Sequence, residues 1–238
     1  MGRYVSRVRE QMRLRGWTAP LVSREYDVMA DRVATAHHEH VLDWGAGPGQ
    51  LTARLARRGV NVTAYEYRPG APAGTTAFQD FPGLVYDHSQ SPVELPYPDG
   101  TFDAVISAGV LEHVADPNGS LRELHRVLAA GGLLYVYKLP YRFSYLEWIA
   151  RRLGRFGLYY HGKFPDDRLY SVRSADAMVT AHGFTVQECR RANLLPLTVP
   201  TPARRRVSDL LWHLNRALGR TPLVAFATNV ELIASRRP

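Results

Sequence analysis

The sequence predicts an α/β fold: a doubly wound, mostly parallel seven-stranded sheet with a helical cap inserted after the fifth strand. Three observations carry that expectation. Short β-prone runs alternate with helical periodicity through residues 41–140. A glycine-rich turn, Gly45-Ala46-Gly47-Pro48-Gly49, joins the first of those runs to the next helical segment. After Pro140 the rhythm breaks into a stretch rich in Tyr, Arg, Phe and Trp and resumes near Ser174. At 238 residues the chain has the length of one domain with a sizeable core.

Each element has a local justification. Residues 4–14 read as a short basic helix, and 24–36 as a longer one, with Ser23 as N-cap and Tyr26, Met29, Ala30 and Val33 on one face. VLDW (41–44) reads as a strand, QLTARLARRG (50–59) as a helix closed by Gly59, and NVTAYEY (61–67) as a second strand. RPGAPAGTT (68–76) has loop composition. LVYD (84–87), FDAVISAG (102–109) and GGLLYVYKL (131–139) follow as strands, with SLRELHRVLAAGG (120–132) as a helix ending on a glycine pair. Helix 174–184, strand 185–190, an amphipathic helix near 204–219 and a strand within 226–235 complete the chain. The whole of 1–238 is thus one domain: N-terminal helices (1–40), a core (41–140), a substrate-cap insertion (141–173) and a C-terminal part (174–238).

Composition narrows the function classes. No apolar run is long enough to cross a bilayer, and MGRYVSRVRE lacks an apolar signal core. Cys189 is the only cysteine, so no internal disulfide forms and the expected location is cytoplasmic. The formal charge of +8 is unevenly spread. Residues 1–140 carry 14 basic and 15 acidic side chains, whereas 141–220 carry 14 basic and 6 acidic. The cationic field therefore belongs to the later half.

In open parallel sheets, ligands bind outside the carboxyl ends of the strands where strand order reverses, and glycines there let backbone approach the ligand. The third glycine arrives one position too early for the dinucleotide fingerprint, and the Gly-Lys-Ser/Thr of a phosphate-binding loop is absent. Asp43 immediately precedes the turn, and Glu66 ends the next strand, where a carboxylate can accept both hydroxyls of a ribose. An adenosine-containing ligand follows.

Four stretches then carry a resemblance. VLDWGAGPGQLT, VTAYEY, LPYPDGTFDAVISAGVLEHV and LRELHRVLAAGGLLYV stand in the order of the motifs of class I S-adenosylmethionine-dependent methyltransferases. The chain resembles that superfamily over residues 41–139. The resemblance implies a Rossmann-like fold and S-adenosylmethionine as cofactor. It implies that Asp43, with the backbone of Gly45, Ala46 and Gly47, attends the methionine portion. Glu66 would take the ribose hydroxyls and Tyr67 pack on the adenine. Asp87, with His88 behind it, would lie near the adenine amino group, although the loop after it is longer than the family pattern. Ala108 would border cofactor and acceptor.

Methyl transfer to a hydroxyl calls for a base, and His113, with Glu112 to orient it, follows the fourth strand of the motif series. The alternative is that His113 only packs beneath the cofactor. Tyr160, His161 and Tyr170 of the insertion are candidate substrate contacts. HHEH (37–40) offers no separated ligand pair for a metal and reads as a solvated loop, while His125 and His182 read as helix-surface residues.

The expected activity is O-methylation of a small-molecule, glycan or lipid-linked acceptor. Two rivals stand beside it. RNA methylation is encouraged by the basic half, but SAGVLEHV is unlike the Asn/Asp-Pro-Pro-aromatic motif of amino-group nucleic-acid methylases. A non-catalytic cofactor-binding partner subunit would also keep Asp43, the glycines and Glu66. Residues 145–156 and 204–218 each pair an apolar helical face with arginines, which reads either as a lid over the sheet or as a peripheral contact with anionic membrane.

Overall fold

The computed structural model describes residues 17–18, 20–67, 81, 84–88, 91–152, 168–195, 201–202 and 205–238. Its first half runs β1 (Trp17–Thr18), α1 (Pro20–Thr35), β2 (Val41–Trp44), α2 (Gln50–Ala56), β3 (Val62–Glu66), β4 (Val85–His88) and β5 (Phe102–Ala108). There follow α3 (Pro117–Val127), β6 (Leu128–Pro140), α4 (Tyr145–Arg152), α5 (Val172–Thr180) and β7 (Phe184–Ala192). β8 (Thr201–Pro202), α6 (Arg205–Leu218), a 3-10 turn (Pro222–Phe226) and β9 (Asn229–Arg236) end the chain.

All seven expected strands join one sheet, in the order β4-β3-β2-β5-β6-β9-β7. The first five in that order are parallel, and β9 runs antiparallel to both of its neighbours. β1 and β8 pair separately as a small antiparallel ladder. Strand order reverses between β2 and β5, so the carboxyl ends of these two strands frame the crevice where such sheets bind ligands.

Helices cover both faces. On one, Trp44, Tyr65, Phe102, Leu121, Leu124 and Phe184 belong to a single core. On the other, Met29, Val33, Leu51, Leu55, Ile106 and Ile233 form a second. β2 and β3 are buried at every position, which is why both read as short strands without polar alternation. Each fully buried Leu or Phe of these layers contributes about 1.5–3 kcal/mol relative to exposure.

Boundaries depart from expectation where tertiary contacts outweigh local preference. α1 begins at Pro20, and Ser23 lies inside it; the Ser23 hydroxyl accepts from the Arg54 guanidinium at 2.6 Å rather than capping. α3 is capped by Asp116, which accepts from Gly119 N at 2.8 Å, with Pro117 in its first turn. It ends at Val127, and the LAAGG run expected to prolong it opens β6. Leu128, fully buried, pairs with Phe102 there, and strand pairing wins over the helical preference of the two alanines.

The histidines also differ from their expected solvated roles. His38 Nε2 lies 2.9 Å from the Tyr135 hydroxyl and His40 Nε2 2.9 Å from Thr63 Oγ1, while Asp103 accepts from the amides of Glu39 and His40. His38 and His40 are thus half-buried at the amino edge of the sheet, whereas His37 and Glu39 are exposed as expected of a solvated loop. His125 packs edge-on to Phe184, with ring centroids 5.2 Å apart, and lies directly beneath Gly183. His182 is half-buried, its Nδ1 lying 2.7 Å from the Met178 carbonyl.

α4 and α6 turn part of their apolar faces outward, while Tyr145, Val207, Leu211 and Leu218 are half-buried. In α4 Glu147 is buried, whereas Trp148 is 67% and Ile149 39% exposed. In α6 Ser208, Trp212 and Asn215 are buried, whereas Leu210 is 68% and Leu214 44% exposed. Residues 4–14, 153–156 and 204 lie outside the described residues.

Candidate active site

The turn after β2 is built by backbone. Gly45 and Ala46 both donate their N–H to the Tyr65 carbonyl, at 2.8 and 3.0 Å, which ties the loop to the end of β3. Gly45 sits at φ 77°, and a Cβ there would lie 2.4 Å from Val110 Cγ2, so glycine is required twice over. The loop passes over to α2 at Gly49, also left-handed, with no side chain capping the helix.

Two carboxylates converge on this loop. Glu66, 5% exposed, accepts from Gly47 N through Oε2 and from Tyr67 N through Oε1, each at 2.9 Å. Asp43, 2% exposed, accepts from the Thr52 hydroxyl at 2.6 Å. Burial pushes the Asp43 carboxyl up to about 6; the Thr52 hydrogen bond pulls the other way and the nearby Glu66 charge adds to the rise. Thr52 has no counterpart among the expected site residues, although its place in the first turn of the helix after the glycines was visible in QLTARL.

Neighbouring strands supply the rest of the rim. Tyr65 pairs with Asp87 and Glu66 with His88, so the ends of β3 and β4 lie side by side. Asp87 already accepts from the Tyr97 hydroxyl at 2.6 Å. Tyr67 stacks on Trp44 with centroids 6.2 Å apart and planes 22° from parallel. Ala108 ends β5, and Gly109 N bonds back to Tyr137 O at 3.1 Å. Trp44 Nε1 and the Ser107 hydroxyl, on residues paired across β2 and β5, are buried without hydrogen-bond partners among the described residues.

Beyond Gly109 comes the turn holding Glu112 and His113. Their side chains are 6% and 5% exposed, and His113 Nε2 lies 3.6 Å from Glu112 Oε1, an ion-pair distance longer than a hydrogen bond. Arg168 clamps this turn from the far end of the insertion. Its N–H donates to Glu112 O at 3.1 Å, and its guanidinium donates to Val114 O and Ala115 O at 2.5 and 3.0 Å. No spacing rule pointed to Arg168.

Of the expected substrate contacts, Tyr160 and His161 lie outside the described residues. Tyr170 is 5% exposed within the core, its hydroxyl lies 3.4 Å from the Leu111 carbonyl, its N–H bonds Pro140 O at 2.8 Å, and burial pushes its phenol up to about 12. Its place beside Tyr141, just after β6, draws the ring inward. Lys138, which went unremarked, stands in a bulge of β6 at φ 65°. It pairs with Glu25 at 3.2 Å and lies over the Tyr26 ring at 4.1 Å. Burial works to lower the Lys138 ammonium, but Glu25 and Tyr26 outweigh it and the net shift is upward.

This crevice and sheet order define a class of nucleotide-cofactor enzyme, and comparison with known proteins names the family. The model of the methyltransferase domain matches residues 42–136. A demethylmenaquinone methyltransferase of Thermus thermophilus is 30% identical over 166 residues, covering 63% of this chain and 76% of that one. A ubiquinone biosynthesis O-methyltransferase of Pseudomonas aeruginosa is 35% identical over 98 residues, covering 40% of this chain and 42% of that one. An S-adenosylmethionine-dependent methyltransferase of Thermotoga maritima superposes with a TM-score of 0.60 at 14% identity, covering 99% and 97% of the two chains. The chain belongs to the class I S-adenosylmethionine-dependent methyltransferases. It is an enzyme of that class and its cofactor is S-adenosylmethionine. It spans about half the length or less of several curated relatives it matches, including 50% of one from Mycobacterium.

The residues present suit that cofactor. A loop that excludes side chains at Gly45, with one carboxylate on a loop amide and another buried at the strand end, is the donor set an adenosyl sulfonium with a free amino acid portion requires.

Asp43 also makes the fold pH-sensitive when no cofactor is bound. Its folded value of about 6 exceeds the ordinary carboxylate value of 3.8, so the folded chain holds that proton more tightly than the unfolded one. Stability from this group is present at low pH and is lost as pH rises through about 6. Thermal unfolding of Asp43→Asn without cofactor should therefore show a gain over the parent at pH 7–8, of up to about 3 kcal/mol, that shrinks toward pH 4. A parent that gains stability on the variant as pH rises would contradict the assignment.

Proposed function

We propose that this methyltransferase methylates an oxygen of a small-molecule, glycan or lipid-linked acceptor presented at the carboxyl end of β5. The observation that carries the reading is the shielded Glu112–His113 pair just past that end, fixed by Arg168. The names of the quinone-pathway relatives support a small acceptor of this kind over RNA.

S-adenosylmethionine supplies a methyl group already activated on a sulfonium. What remains for the chain is alignment, which supplies about 7–11 kcal/mol when well made, and a base, which supplies roughly 10²–10⁴ in rate. In this reading Asp43 and the backbone of Gly45, Ala46 and Gly47 hold the methionine portion. Glu66, its two oxygens already set by backbone N–H groups, takes the ribose hydroxyls. Tyr67, Asp87 and His88 attend the adenine, and Ala108 borders the methyl. His113 removes the acceptor proton while Glu112 steadies the imidazolium that results.

Two kinds of observation support a lipid-linked acceptor met at a membrane. Phe143, Trp148, Leu210 and Phe226 are 60%, 67%, 68% and 55% exposed. They lie in or next to the half of the chain with 14 basic against 6 acidic side chains. In this reading the enzyme is cytoplasmic and touches anionic lipid peripherally, where each basic residue near the surface adds roughly 1 kcal/mol.

Three measurements test these roles. Glu66→Ala forfeits charge-assisted hydrogen bonds of about 1.5–3 kcal/mol each, so calorimetry should show S-adenosylmethionine affinity at least tenfold lower with the fold intact. Unchanged affinity removes Glu66 from the ribose. For His113→Ala, turnover on a hydroxyl acceptor should fall roughly 10²-fold or more while cofactor affinity barely moves. A parallel collapse of affinity makes His113 structural. Finally, the parent should co-sediment with anionic but not neutral vesicles at low salt, and a Trp148→Ser, Ile149→Ser variant should bind them less. Absence of vesicle binding, or binding to RNA in its place, would refute the membrane contact.

A further inference from the structure

A groove of about 280 Å³ opens on the sheet face that carries α1 and α6, and the glycine loop takes no part in it. Glu25 and Arg32 of α1, Arg190 and Arg191 of β7, and Arg216 of α6 with the following Arg220 line its walls. Tyr137 of β6 and Glu231 of β9, on adjacent strands, line it from the sheet.

The charges divide into two groups. Arg32 donates to Glu188 at 2.5 Å, and Arg190 reaches Glu188 at 3.1 Å and Glu231 at 3.0 Å. Glu25 is engaged by Lys138 at 3.2 Å and by the Asn193 amide at 2.6 Å. Both acids that line the groove are therefore answered from within the protein. Arg191 turns its guanidinium to Tyr141, in the core on the other face of the sheet, donating to its hydroxyl at 3.0 Å and lying over its ring. Arg216 and Arg220 are exposed, and their guanidinium groups meet no carboxylate among the described residues. The surplus at the groove is cationic.

Tyr137 supplies an independent sign. It is 3% exposed, and its hydroxyl is buried without a hydrogen-bond partner among the described residues. A buried donor left in that state is costly, and a bound acceptor relieves it. Burial raises this phenol, so it keeps the proton it would donate.

We propose that the groove is an anion site for a phosphate group, with Arg216 and Arg220 supplying the charge and the Tyr137 hydroxyl a buried donor. Guanidinium groups suit phosphate because their paired N–H groups match two of its oxygens. A phosphate can arrive free or as the ester of a larger molecule, and the site chemistry is the same for both.

The test uses the intact chain at fixed ionic strength, titrated calorimetrically with inorganic phosphate, glycerol 3-phosphate or a sugar 1-phosphate, with chloride as the reference. Saturable one-to-one binding is expected. An Arg216→Gln, Arg220→Gln variant should bind at least tenfold more weakly with S-adenosylmethionine affinity and thermal midpoint unchanged. Tyr137→Phe, which keeps the ring, should weaken binding while leaving both arginines in place. Tighter binding of either ester than of inorganic phosphate identifies part of a larger phosphorylated molecule, and the reverse identifies a free anion. No saturable binding of any probe, or equal affinity in the parent and both variants, would overturn the site.

Discussion

The structure turns on a close approach of two pieces of backbone. The loop leaving β2 must swing over the end of β3, where the Tyr65 carbonyl accepts from Gly45 and Ala46 together. Val110 fills the space where any side chain at position 45 would go. Fixing the loop there places Gly47 N on the Glu66 carboxylate and brings α2 in at the angle that lets Thr52 reach Asp43. The glycine loop and the turn that carries Glu112 and His113 are thereby joined through one packed contact, since Val110 opens that turn. A shift of the loop would move the turn with it.

A second tie reaches the sheet from its flank. Lys138, held left-handed by the β6 bulge, pairs with Glu25, whose other oxygen accepts from Asn193. Asn215 of α6 donates to Asn193 and accepts from the amides of Leu194 and Leu195. One buried polar chain thus runs from α1 through the β6 bulge and the end of β7 to α6. Such a network is costly when broken, because each member left alone is a buried unsatisfied group. It holds α1 and α6 on the same side of the sheet, above the groove, and at Lys138 it comes up against Gly109.

Most of the sheet was legible because β2, β3 and β5 are short apolar runs buried on both faces, each bounded by a turn signal. The places of the glycines, Asp43 and Glu66 at or next to strand ends were legible for a related reason, since the strands themselves were. What escaped reading was long-range. Arg168 clamps the Glu112–His113 turn through main-chain carbonyls, and carbonyls leave no trace in side-chain spacing. Lys138 interrupts an apolar strand, which reads as a blemish until Glu25 is seen beside it. The end of α3 was misjudged because Ala129 and Ala130 suit a helix, while the deciding contact, Leu128 against Phe102, is a pairing between elements.

Helical periodicity failed in a more instructive way in α4 and α6. Both carry an apolar stripe, and the ordinary inference turns such a stripe toward the core. Instead Glu147, Ser208 and Asn215 are buried while Trp148, Ile149, Leu210 and Leu214 are exposed. For α6 the cause is on view: Asn215 is committed to Asn193, Leu194 and Leu195, and Trp212 packs with Leu21 of α1. Once those contacts set the rotation of the helix, Leu210 and Leu214 must point away. Amphipathicity measures how a helix divides its residues, and it does not say which half the rest of the protein takes. Here Asn215, Ser208 and Trp212 took the inner face, and Leu210 and Leu214 were left at the surface in the most cationic part of the chain.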